Sequence, residues 1–240
     1  MCYANNGTIQ AGTNAAGSFV GGASYGGANQ TIRRGAFVFG YSTYGTIQAA
    51  GGSWAGGNIY GASGDITAGI SAIGQSGAFA MGYAYGSGAG VARLYSQQRG
   101  AASFGYAKAG AGSAGDGIIE GFEKGSQAMG YANAAGIGNA KVSALGKGSF
   151  AQGHSKALLG GTSHITAKNH GGFSQGYALS ENAGDAYIGY NYQDARGAFS
   201  QGYARARGTG RCHIGANRPG AFAQGATYTA LASTGRAELY

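Results

Sequence analysis

Proline is almost missing: the 240-residue chain contains one. That excludes a collagen triple helix and most proline-rich disorder, both of which depend on proline. Charge is scarce as well, at 10% of residues, which excludes a polyelectrolyte tail. The two cysteines, Cys2 and Cys212, are too few and too far apart to build a disulfide framework, so cohesion must come from elsewhere. No apolar run approaches the eighteen or so residues of a membrane-spanning helix. The opening MCYANNGTIQAG has neither the basic start nor the apolar stretch of a signal peptide. Neither a membrane span nor a secretion address is expected.

Acids are in short supply: 8 against 16 basic residues, a formal charge of +8. The excess gathers late. Arg196, Arg205, Arg207, Arg211, Arg218 and Arg236 lie between Asp194 and Glu238 with no acid among them. Such a field attracts phosphate, sulfated or sialylated glycan, or anionic headgroups. Read more plainly, it is a solvated face that keeps the particle soluble. Arg196, Arg205, Arg207, Arg211 and Arg218 are the candidate ligand-binding residues, with an anionic glycan as the candidate ligand.

Glycine is what the chain has in excess, 52 residues, with 17 tyrosines and 10 phenylalanines beside it. Glycine's usual share is about 7%, and a disordered linker lacks this much aromatic surface. The chain therefore folds, despite the entropy its glycines surrender. The two sequons, at Asn6 and Asn29, are what chance supplies in a chain rich in Asn, Ser and Thr.

The glycines belong to an internal repeat. A word of the form G-x-aromatic-x-x-G starts at Gly17 (GSFVGG), Gly35 (GAFVFG), Gly52 (GSWAGG) and Gly77 (GAFAMG), and continues, with the variants GAASFG at Gly100 and GSQAMG at Gly125, at Gly148, Gly171, Gly197 and Gly220. Its spacing is loose early and settles to a period near 23 residues in the second half. A second word, centred on a β-branched residue, falls between copies of the first: Ile9, Ile32, Ile47, Ile66, Ile119, Val142, Ile165, Ile188 and Ile214. Ile119, Val142, Ile165 and Ile188 are 23 apart; the step to Ile214 is 26, with the extra residues in YNYQDAR reading as a loop insertion.

Two short strands per turn joined by glycine corners describe an all-β parallel β-solenoid, or β-roll, of about ten turns. One solenoid domain over 1–240 is expected, with irregular turns over 1–65 and regular ones over 66–240. The closing GRAELY reads as the start of a further rung. Strand alternation splits the main word into two faces. Its second and fourth positions are Ala, Ser or Gly, with Val20 and Val38 the exceptions; its third, fifth and seventh positions are mostly large, with Ala102, Gly21 and Gly56 among the exceptions. In-register parallel strands place like side chains about 4.8 Å apart. Phe79, Phe150, Phe173, Phe199 and Phe222 then form one stack, and Gln152, Gln175, Gln201 and Gln224 a ladder of amides. Either face can point inward. With the large face inside, the coil is self-sufficient; with the small face inside, it is thin, and partner chains must cover the aromatic columns, most simply around a threefold axis. The number of strand positions held by small residues favours the second arrangement.

The stretches GSFAQGHSKALLGG, GGFSQGYALSENAG and GAFSQGYARARGTG resemble the S-x-A-x-G repeats of YadA-like trimeric autotransporter adhesin heads and of related phage-fibre β-rolls. The resemblance covers residues 120–227 and implies a trimer of left-handed parallel β-rolls that binds host surface components. This chain departs from the family in its Phe and Gln positions and in alternating two words per turn. Neither a heptad stalk nor a membrane anchor is evident in it.

Chemistry is sparse. Glu120 and Glu123 are the close carboxylate pair, read as solvated, since an acid–base pair needs opposed environments. His164 and His213 fall about two rungs apart with Tyr187 between, too far to share a zinc ion. GIGNAK at 136–141 lacks the Walker lysine spacing. No cofactor and no metal are expected, and nucleic-acid binding is disfavoured because tyrosine stacking explains its aromatic part. The Asp residues are spread over many turns, which argues against a polysaccharide-processing solenoid. Ice binding is a rival, but it needs regular threonine arrays, and Thr8, Thr31, Thr46, Thr67 and Thr166 skip several turns. The expectation is a non-enzymatic structural or adhesive element of a cell or virion surface, self-associated.

Overall fold

The computed structural model describes residues 2–5, 9–11, 19–25, 29–31, 37–43, 46–50, 54–61, 68–73, 77–87, 91–97, 99–110, 114–182, 184–189, 197–215, 220–229 and 237–239. Every regular element among them is a β-strand, and the strands form two eleven-stranded parallel sheets that alternate along the chain. The first sheet holds Cys2–Asn5, Phe19–Tyr25, Phe37–Thr43, Trp54–Gly61, Phe79–Gly86, Ala102–Ala109, Gln127–Ala134, Phe150–Ala157, Phe173–Ser180, Phe199–Ala206 and Phe222–Thr229. The second holds Ile9–Ala11, Asn29–Thr31, Thr46–Ala50, Ala68–Ile73, Ala92–Gln97, Gly117–Phe122, Ala140–Leu145, Ser163–Lys168, Ala186–Ile188, Cys212–Ile214 and Ala237–Leu239. The coil is a two-strand-per-turn β-solenoid.

Ten copies of the main word become ten strands of the first sheet, in the register the words imply: Phe150 opposite Phe173, Phe173 opposite Phe199, Gln152 opposite Gln175. The eleventh strand, Cys2–Asn5, pairs with the second half of its neighbour's word, Gly22 to Tyr25, so it lacks the word's third-position aromatic, while Tyr3 takes a place in the seventh-position column with Ala23 and Tyr41. In the second sheet Ile119, Val142, Ile165, Ile188 and Ile214 share one column, and the 26-residue step leaves the register intact. The column's earlier members depart from expectation. Ile32 and Ile66 lie outside the described residues, and the register assigns their places to Asn29 and Ile70, with Leu94 as a further member. Within GRAELY, Ala237–Leu239 forms a strand beside Cys212–Ile214.

Small residues point inward. Ala128, Ala132, Ala134, Ala151, Ala157, Ala178, Ala204 and Ala206 are fully buried, and so are Ile119, Val142, Ile165, Ile188 and Ile214 opposite them. From Phe79 onward the interior takes one large side chain per rung, supplied by the second sheet, and the first sheet answers with glycine; in the rung before, the first sheet itself buries Ile59. Gly176 shows the fit: a Cβ built there lies 2.9 Å from Ile165 Cδ1 and 1.9 Å from the carbonyl oxygen of Gly153. Burying each aliphatic side chain stabilises by roughly 1.5–3 kcal/mol. So thin a core leaves backbone groups of the two sheets within reach of serine. Ser155 Oγ donates to the Ala140 carbonyl at 2.7 Å, Ser200 Oγ to the Gly215 carbonyl at 2.9 Å, and Ala167 N–H donates to Ser174 Oγ at 2.6 Å. These bonds tie the sheets together across the interior.

Candidate interaction surfaces

With the small face inside, the large columns stand on the outer face of the first sheet. Phe150, Phe173, Phe199 and Phe222 stack with centroids 4.8–5.2 Å apart and ring planes within 15°. Phe79, expected in the same stack, shares the column but is cut off from Phe150 by Ala102 and Gln127, and its ring packs against Trp54 and Phe104 instead. Tyr83, Tyr106 and Tyr131 stack at 4.9–5.0 Å within 9°. His154 interrupts that column, meeting Tyr131 and Tyr177 edge-on at 4.7 Å. Each ring thus covers its neighbours' faces, and every such pair contributes roughly 0.5–1.5 kcal/mol beyond burial. This is why mid-column phenylalanines are only partly exposed, while Phe39 and Phe222 are 50% and 51% exposed. The surface presents ring edges, not faces. Between the Phe and Tyr columns Gln152, Gln175, Gln201 and Gln224 run as the expected ladder, at the long distances of 3.4–3.5 Å.

From Trp54–Gly61 to Phe222–Thr229 the face measures roughly 34 Å along the axis by 23 Å along the strands. From Phe79 onward, no outward strand position on it carries a carboxylate. Its cations, Lys108, Lys156 and Arg205, share one marginal column with Tyr85 and Tyr228.

The candidate arginines occupy different settings. Arg205 stands in that margin with its guanidinium 5.1 Å from the Tyr228 ring centre. Arg207 is at the next corner, paired with Glu181 at 3.1 Å. Arg211 immediately precedes the second-sheet strand Cys212–Ile214, its backbone N–H donating to Asp185 Oδ1 at 2.7 Å. Arg196 and Arg218 lie outside the described residues.

The second sheet's outer face is polar and charged. The expectation of a solvated Glu120–Glu123 pair fails there. Glu120 is 4% exposed, bonded to Arg93 at 2.8 Å and to the Lys141 ammonium, its partners being one rung to either side. Glu123 sits at a corner with φ 80°. No spacing rule marks this clamp, because its members are 27 and 21 residues from Glu120. His164, Tyr187 and His213 do share a column, with His164 and Tyr187 stacked at 5.0 Å. Burial, helped by the ammoniums of Lys141 and Lys168 and opposed by Asp185, holds His164 down to about 4. Asp116 and Asp185 flank this face three rungs, roughly 14 Å, apart, beyond the roughly 5–9.5 Å of glycosidase carboxylate pairs. Thr31 pairs with Ala49, Thr46 with Gly69 and Thr166 with Ser143, so these threonines form no array. Among the described residues no cluster of His, Cys, Asp and Glu is arranged to hold a metal ion.

No family model, curated protein or solved structure matches this chain.

Proposed function

We propose that the protein is a non-enzymatic structural or adhesive module of a cell or virion surface, a fibre, spike or adhesin head assembled from copies of this coil. The observation that carries the reading is the carboxylate-free face of Phe, Gln and Tyr columns, about 800 Å² in extent. That footprint is of the order of the area each partner contributes to a standard stable interface, about 800 Å², and its aromatic columns are the kind of surface that marks an interaction site. Three copies turning this face to a common axis cover all of it in a closed threefold assembly. The resemblance of the later repeats to adhesin heads favours the same arrangement.

Gel filtration with light scattering tests it. The expected mass is three times that of the chain, and Phe173→Glu with Tyr177→Glu is expected to yield folded monomers. Both substitutions place carboxylates on the outer face and leave the interior untouched. A wild-type monomer, or a double variant that remains trimeric, would overturn the reading.

A further inference from the structure

The corner leading from each second-sheet strand into the next first-sheet strand carries a row of basic residues. Arg99, Lys124, Lys147 and His170 stand three residues before Ala102, Gln127, Phe150 and Phe173, which are register partners in that order. The four therefore hold one place in four successive rungs. The backbone fixes that place. Gly77 N–H donates to the Arg99 carbonyl, Gly100 N–H to that of Lys124 and Gly125 N–H to that of Lys147, each at 2.9 Å, and Gly148 N–H to that of His170 at 2.8 Å. Successive members are about 4.8 Å apart and the row is roughly 14 Å long. The repeat conceals it, because the word begins at the glycine that follows each one. Arg99, Lys124 and Lys147 are exposed, and His170 is partly so. Among the described residues none of the four is in an ion pair, whereas Arg93 and Lys141 hold Glu120 and Arg207 holds Glu181. The ground beside the row is open: a Cβ built on Gly100, Gly148 or Gly171 meets nothing within 4 Å. Glu123, next to Lys124, is the one carboxylate among the described residues of these turns, so the row stays positive.

We infer that this corner binds a linear acidic polysaccharide, one carboxylate per sugar, lying along the coil axis. Like charges held one rung apart repel, and a polyanion laid along them relieves that repulsion. Spacing selects the kind of polyanion. A pyranose and its linkage advance a chain by a length comparable to one rung, so successive carboxylates meet successive basic residues, with the flexible Arg and Lys stems taking up the mismatch. Single file disfavours the other candidates. Duplex DNA carries a charge per about 1.7 Å of axis, spread over two strands. Single-stranded nucleic acid is held by open aromatic faces. The side chains next to the row are Ala102, Gln127, Phe150 and Phe173, and the two rings are stacked on each other. An anionic membrane presents its charge over a plane, which one row meets only along a line. The row is in turns outside the aromatic face, so this inference and the assembly reading fail separately.

Calorimetric titration of the full chain with tetragalacturonate, single galacturonate, neutral tetragalactose and an oligothymidylate is the test. Tetragalacturonate is expected to bind, roughly tenfold or more tighter than single galacturonate because its charges act on one chain, and to weaken with added salt. Lys124→Ala with Lys147→Ala is expected to reduce its affinity roughly tenfold. Both positions are exposed turn residues, and circular dichroism of the variant checks that its fold persists. Lys108→Ala with Lys156→Ala removes the same charge from the margin of the first sheet and is expected to leave the affinity within about twofold. No binding of tetragalacturonate would overturn the proposal, as would equal binding of galacturonate, tetragalactose or oligothymidylate. So would an equal loss in the two double variants, which would mean that net charge alone attracts the ligand, or an unchanged affinity in Lys124→Ala with Lys147→Ala.

Discussion

Gly176→Ala is expected to disrupt the coil, whereas Gly171→Ala, five residues earlier in the same word, costs little. Gly171 is a corner residue at φ 66°, and a Cβ built on it meets nothing within 4 Å. Alanine there bears only the left-handed backbone penalty, roughly 1–2 kcal/mol. Gly176 is in mid-strand at φ 146°, and its Cβ would enter the Gly153 carbonyl oxygen of the rung below. The neighbouring rungs offer no relief. Gly105, Gly130, Gly153, Gly202 and Gly225 each place a virtual Cβ 2.0–2.1 Å from the glycine oxygen of the preceding rung. Relaxing one contact means lengthening the inter-strand hydrogen bonds that set the rung spacing. Backbone strain and overpacking together are expected to cost roughly 3–5 kcal/mol. The urea midpoint of each variant measures the difference. Equal midpoints would remove the glycine spine as the reason for the word's sixth position.

The same spine explains what was legible beforehand. A word repeated every 23 residues can stack in one register without shifting every side chain to the wrong face, so the Phe and Gln columns were readable. Alternation separates two faces but carries no sign, and the inward face depends on volume across the core. The clue lay in two words considered together: the β-branched centre of one needs a cavity, and the glycine of the other provides it, as Ile165 and Gly176 show. The Glu120 clamp had no such signal. Ile118, Lys141 and His164 occupy equivalent positions in three rungs, but their chemistry changes at every step. A repeat pattern reports what recurs; a site assembled from the exceptions becomes visible only when the rungs are superposed. Asn29 in the Ile9–Ile47 column is hidden for the same reason.

Stability is expected to fall between about pH 6.5 and pH 4, with His164 the largest single histidine contribution. An unfolded histidine takes up its proton near pH 6.5. His164 in the folded chain does so only at about 4, because the site is desolvated and Lys141 and Lys168 face the ring, with Asp185 as a partial counterweight. In that window the unfolded chain binds a proton that the folded chain refuses, so acid favours unfolding. The contribution is fully present above pH 6.5, lost progressively below it, and levels off below 4. A shift of that size corresponds to roughly 3–4 kcal/mol. His154, lowered by its own burial and by Lys156, adds a loss of the same sign. Urea midpoints from pH 7.5 to pH 4 should therefore slope steeply in the wild type and less in His164→Gln. Losing the stack on Tyr187 lowers the variant's stability at every pH, and carboxylate titrations act on both proteins alike. Only the slope reports the imidazole, and parallel curves would mean that His164 protonates in the folded coil as readily as in the unfolded chain.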